Sequence, residues 1–101
     1  MHLSVINEPH FLRIEILALE EELEDEMMNN HLRRKVLGMI QQREQRIQYL
    51  EATFSRIKDE EVAEMIRLYA TGKSWEQVNE IVYHYPGLAC RQRVRRYLER
   101  L

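Results

Sequence analysis

The chain has 101 residues, 45% hydrophobic and 32% charged, with three Gly, two Pro and a formal net charge of −2. That composition is expected of a soluble, mainly helical protein: one domain, or one small domain with an extension that must pack on something. No apolar run approaches the ~20 residues needed to cross a membrane, and the segment from Met1 to Glu8 has neither the basic start nor the hydrophobic stretch of a leader. The single cysteine, Cys90, has no internal disulfide partner, which fits a reducing compartment, so a cytoplasmic protein is expected.

Pro9, beside Asn7 and Glu8, marks a helix start, because proline suits the first turn and acidic or amide residues suit its positive end. From there to about Asn30, Leu12, Ile16, Leu19, Leu23 and Met27 fall at helical spacing and form one stripe. The run from Glu20 to Glu26 holds six carboxylates in seven residues. It reads as a solvated helix face or as a surface that docks a basic partner, and the sequence leaves both open.

Asn29 and Asn30 are the expected turn, since Asn tolerates left-handed backbone and competes for its own backbone hydrogen bonds. A second stripe follows through Val36, Ile40, Ile47, Leu50, Phe54 and Ile57, with Arg43 interrupting its coiled-coil-like seam. Gly38 inside this helix costs about 1 kcal/mol relative to Ala and leaves a possible break point. Two such helices make a hairpin too thin to bury both seams. Residues 1–57 are therefore expected to form a helical hairpin or coiled coil that self-associates, or that packs on the C-terminal part.

A C-terminal unit over residues 58–101 is expected next. Asp59 caps a third helix, with Glu60 and Glu61 at the positive end of its dipole and Val62, Met65, Ile66 and Tyr69 inward. Thr71, Gly72 and Lys73 stop it, Gly72 supplying a positive φ. Ser74 with Gln77 three residues on is a capping-box pattern that opens a fourth helix. Trp75, Val78, Ile81 and Val82 are its expected core face.

After a turn holding Pro86 and Gly87, the final helix spans about residues 88–101. Five of the last fourteen residues are Arg, against one carboxylate, Glu99. On a wheel of about 100° per residue, Cys90, Val94, Tyr97, Leu98 and Leu101 share a core face. Gln92, Arg95, Arg96 and Glu99 lie opposite, and Arg91, Arg93 and Arg100 lie on the flanks. Three short helices with a basic third describe a helix-turn-helix unit, its last helix set for the major groove. Arg91, Gln92, Arg93, Arg95, Arg96, Arg100 and Lys73 are the candidate DNA contacts: Arg for guanine O6 and N7 or for phosphates, Gln for adenine N6 and N7. A plain three-helix bundle with solvated arginines is the alternative.

The run from Arg67 to Val78 (Arg-Leu-Tyr-Ala-Thr-Gly-Lys-Ser-Trp-Glu-Gln-Val) resembles the helix-turn-helix of sigma-factor region 4. It resembles more closely that of small regulators of the RinA and ArpU type, encoded by phages of Gram-positive bacteria. Their pattern of Arg-x-Tyr, a Gly-x-Ser/Thr-Trp turn and an apolar residue three after the Trp is met by Tyr69, Gly72, Ser74, Trp75 and Val78. The segment Cys90 to Leu98 is similar to their recognition helix. Arg43 to Glu51 fits the coiled coil that precedes it in those proteins. The resemblance covers about residues 43–101, and the first 40 only in architecture. It implies a transcription regulator acting on late phage genes in the host bacterial cytoplasm, with double-stranded DNA, a second copy or more of itself, and host RNA polymerase or another host protein as partners. The segment Val82 to Gly87 is bulkier and more aromatic than the family's small-residue turn. The start of the recognition helix is therefore open, as is whether Tyr83, His84 or Tyr85 touches DNA or packs.

His2, His10, His31 and His84 share no ligand spacing, and there is no phosphate-binding loop or nucleophile elbow. No metal, cofactor or catalytic activity is expected. Two other readings remain: a terminase-like small subunit for DNA packaging, and an interaction module or inhibitor that docks the acidic run Glu20–Glu26 on a host nucleic-acid enzyme.

Overall fold

The computed structural model describes residues 1–84 and 87–101. Tyr85 and Pro86, and with them part of the expected turn before the last helix, lie outside the described residues. The protein is all-α: a helical hairpin followed by a helical bundle. A 3₁₀ turn at Leu3–Ile6 precedes α1 (Glu8–Leu23), α2 (Asn30–Ser55), α3 (Glu60–Ala70), α4 (Trp75–Tyr83) and α5 (Ala89–Glu99). No helix among the described residues is long and apolar enough to cross a membrane.

The chain forms two compact units. One is Glu8–Ala52; the other joins Met1–Asn7 to Thr53–Leu101. The boundary expected from the sequence lies at 57/58 instead. Met1–Asn7 belongs with the C-terminal unit because Leu3, Val5 and Ile6 are buried and the 3₁₀ turn packs on α3 and α5. The main-chain nitrogen of Met1 donates to the Leu98 carbonyl at 2.7 Å.

In the Glu8–Ala52 unit, Ile16 and Leu19 of α1 meet Val36, Ile40 and Ile47 of α2, with Leu12, Leu23, Met28 and Met39 packed around them. The helix α1 stops at Leu23, well short of Asn30, and Met27 is 91% exposed instead of completing the stripe. Two causes act together. The carboxylates from Glu20 onward crowd the negative end of the helix dipole. Arg33 then caps that end from α2, donating to the carbonyls of Leu23 at 3.0 Å and Asp25 at 3.3 Å. The turn lies over residues 24–29, where the Asp25 side chain accepts from the Met27 amide. Asn29 is not the turn centre but the cap of α2, its Oδ1 accepting from the Leu32 amide at 2.8 Å.

Gly38 does not break α2, which is continuous through it. Arg43, the polar interruption of the seam, is half-buried and satisfied twice: by Glu15 at 2.7 Å across the hairpin and by the Met39 carbonyl at 3.1 Å. Arg46–Glu8 and Arg13–Glu51 add two more cross-hairpin ion pairs. Ile57, expected on the second stripe, lies beyond the end of α2.

The C-terminal unit starts as its sequence signals dictate. Asp59 accepts from the amides of Glu61 and Val62, Gly72 takes φ +100, and Ser74 and Gln77 complete a reciprocal capping box. Helices α3, α4 and α5 pack on one another, burying Val62, Met65, Ile66, Leu68, Val78, Val94 and Leu98. Trp75 is a core residue, stacked on Tyr69 with ring centroids 4.1 Å apart and planes within 9°. A stack of this kind contributes about 1 kcal/mol beyond the area it buries. Ile81, expected in the core, is 45% exposed, and Asn79 takes an inward place with no exposure. On the wheel Asn79 lies beside Trp75 at one edge of the face formed with Val82 and Val78, whereas Ile81 falls on the opposite flank.

Candidate nucleic-acid interface

The position of α5 depends on three inward side chains, Cys90, Val94 and Leu98, all without exposed surface. Tyr97 is half-buried at the margin, and Leu101, expected in the core, is past the helix end and 56% exposed. Burial pushes the Cys90 thiol above its ordinary pKa. That keeps it a protonated core group.

The start of α5 has no side-chain cap of its own. Asn79 supplies one from α4: its Oδ1 accepts from the Cys90 amide at 3.1 Å, meeting one of the free donors every helix start carries. Gly87 takes φ +150, and a Cβ added there would lie 3.5 Å from the Asn79 side-chain amide nitrogen. Thus the α4 core face and the first turn of α5 are joined through one amide. Asn79 is not among the core residues expected for α4. The available signal was a polar residue at i+4 from Trp75, on an otherwise apolar face.

The seven candidate contacts divide by what they already hold. Arg93 is half-buried and reaches back to α3 and α4. It pairs with Asp59 at 3.1 Å and with Glu61, and it donates to the Tyr83 hydroxyl at 2.9 Å. The bonds to Tyr83, Glu61 and Asp59 raise its pKa above the ordinary arginine value. On the other side, the Val62 amide and Arg93 hold the Asp59 carboxyl below its ordinary value against an opposing contribution from burial. Arg93 therefore ties the start of α3 to the middle of α5 and to the last residue of α4. Tyr83 is held by this pairing, and His84 is exposed in the left-handed conformation at φ 61 that ends α4.

The other cations face water. Arg91, Gln92, Arg95, Arg96 and Arg100 are exposed. Among the described residues Arg91, Arg96 and Arg100 have no carboxylate partner, and Arg95 meets Glu99 only loosely, at 3.8 Å. A cleft of about 380 Å³ runs along α5 and brings Gln92, Arg96 and Arg100 together with Arg93, and with Tyr83, Tyr97 and Asp59 on its walls. Arg91 and Arg95 lie on α5 outside the cleft. Lys73 is exposed in the α3–α4 turn, also outside it.

Charge is divided between the two units. Met1–Asn7 with Thr53–Leu101 carries nine Lys or Arg against seven carboxylates, and Glu8–Ala52 carries six against ten. The net charge of the whole chain conceals a cationic unit joined to an anionic one. Comparison with protein-family models, with curated proteins and with solved structures found no match.

Proposed function

We propose that this protein is a sequence-specific DNA-binding regulator of the phage RinA and ArpU type, with α5 as its recognition helix. The observation that carries this reading is the uncommitted cationic face of α5, opposite a face fully locked into the core. A rigid helix bearing Arg91, Gln92, Arg95, Arg96 and Arg100 suits the major groove. Gln92 and Arg96, farthest from the core face, are placed to read base edges, and Arg91, Arg95 and Arg100 to hold phosphates. Lys73, in the turn before α4, is a further phosphate contact. Arg93 acts differently. Its pairing with Asp59, Glu61 and Tyr83 makes it the residue that sets the angle of the helix. In this reading the Glu8–Ala52 unit joins copies of the chain, and the site of action is the cytoplasm of a host bacterium.

The test is a gel-shift titration with DNA from the protein's own gene neighbourhood. Arg95→Ala combined with Arg96→Ala is expected to abolish the shift while leaving the helical circular-dichroism signal intact. The intact protein's affinity falls steeply with salt, log K losing about 0.9 per decade of salt for each phosphate neutralised. Binding unchanged by the double substitution overturns the reading.

The charge division also supports a second reading. Glu20, Glu21, Glu22, Glu24, Asp25 and Glu26 are all exposed, a surface suited to a basic groove on a host nucleic-acid enzyme. Absence of DNA binding together with co-purification of such an enzyme distinguishes it from the first. A ring of eight or more chains in solution instead marks a terminase-like small subunit.

A further inference from the structure

The helix α1 has two apolar faces, and the hairpin uses only one of them. Leu12, Ile16, Leu19 and Leu23 turn toward α2. On the opposite side Phe11, Ile14 and Leu17 are 60%, 51% and 61% exposed, with Ala18 exposed beside them. Single exposed apolar residues are ordinary, but three large ones on one side of two helical turns form a patch. The helix α2 has no access to this patch, because its ion pairs Arg43–Glu15 and Arg46–Glu8 hold it against the other side of α1.

We infer that the outer face of α1 packs on the same face of a second copy of this chain, with the two helices antiparallel. The polar side chains bracketing the patch select both the occupant and the direction, an imidazole N–H at one end being a donor for a carboxylate at the other. His10 and Glu21 stand at its two ends, about three turns apart and within about 20° of one meridian of the helix. Neither has an ion-pair partner among the described residues. Parallel packing sets Glu21 against Glu21 and His10 against His10. Antiparallel packing sets His10 opposite the second copy's Glu21 at both ends and Ile14 opposite its Leu17 in the middle.

One flank carries Arg13 near the N-terminal end, already paired with Glu51, and Glu20 near the C-terminal end, so it adds only weak complementarity. The other flank carries Glu8 and Glu15, already paired with Arg46 and Arg43, and one exposed carboxylate without an ion pair among the described residues, Glu22. A two-fold interface requires a patch complementary to itself about its centre, and this patch has that property. The inference rests on reading the hairpin as the self-association segment, not on DNA binding.

The test is the mass of the full chain by light scattering at tens of micromolar. Twice the chain mass is expected, falling to one chain in Ile14→Glu combined with Leu17→Glu, with the helical circular-dichroism signal kept. A monomeric parent overturns the inference, as does a double variant whose mass is unchanged. Direction is read by mixing His10→Cys chains with Glu21→Cys chains under oxidation; Cys90, without exposed surface, does not compete. Disulfides between unlike chains are expected, and disulfides between like chains overturn the antiparallel arrangement. Gel shifts on the same samples separate the two ideas. A dimer that ignores DNA defeats the regulator reading alone, and a DNA-binding monomer defeats this one alone.

Discussion

Asn79 and Arg93 show how single side chains hold the C-terminal unit, and neither acts on its sequence neighbours. The Asn79 amide has no exposure, and its Oδ1 is the acceptor for the Cys90 amide. Asn79→Ala leaves that buried donor unmet. Unfolding in denaturant is expected to show a loss of about 1–3 kcal/mol, far more than an exposed polar residue of α4 such as Glu76 loses on the same change. Asp59 gives a pH prediction. Its folded pKa is below its ordinary value because of the Val62 amide and Arg93. A depressed carboxylate pKa contributes stability that is present above the unfolded value, about 4, and is lost as pH falls through the folded value. The denaturation midpoint is thus expected to hold near neutrality and to drop below about pH 4. Asp59→Asn keeps the capping oxygen but removes the titration, so that drop becomes shallower. An unchanged acid profile counts against Arg93 and Asp59 as a pair that matters.

Among the elements, α2 tests whether local propensity or packing decides. It runs unbroken through Gly38, whose position is exposed and where an added Cβ would meet nothing within 4 Å. Gly38→Ala is expected to raise stability by about 1 kcal/mol in denaturant unfolding. No gain would mean that the glycine is held in a backbone an alanine resists. The opposite case is α1, where the apolar stripe alone predicts a helix to about Asn30. Electrostatics at the helix end and Arg33 from the facing helix stop it at Leu23. Helices α3 and α4 follow their signals closely, because caps and stops act over three or four residues. Asp59, Gly72, Ser74 and Gln77 occupy in the structure the roles their chemistry assigns.

For the whole molecule, charge and apolar surface are divided between the two units, and the division is what the proposed roles require. The anionic Glu8–Ala52 unit holds the unpaired apolar face of α1, and the cationic unit holds α5. Two copies joined through α1 would present two α5 helices at once. Bivalent engagement of that kind raises affinity without any new contact when the geometry permits it.

From the sequence alone came the all-helical class, the caps of α3 and α4, Trp75 in the core and the two faces of α5 around Cys90, Val94 and Leu98. Each depends on residues within about one helical turn of each other, so spacing and side-chain chemistry suffice. The tertiary structure decided where α1 stops, that Met1–Asn7 docks on α3 and α5, that Asn79 caps α5, and that one arginine of the basic helix is already engaged. Arg93 and Asp59 are 34 residues apart in the chain. On a helical wheel Arg93 is one flanking cation among several; only folding, which brings the start of α3 beside it, makes it a structural tie, while Arg91, Arg96 and Arg100 keep no carboxylate partner among the described residues.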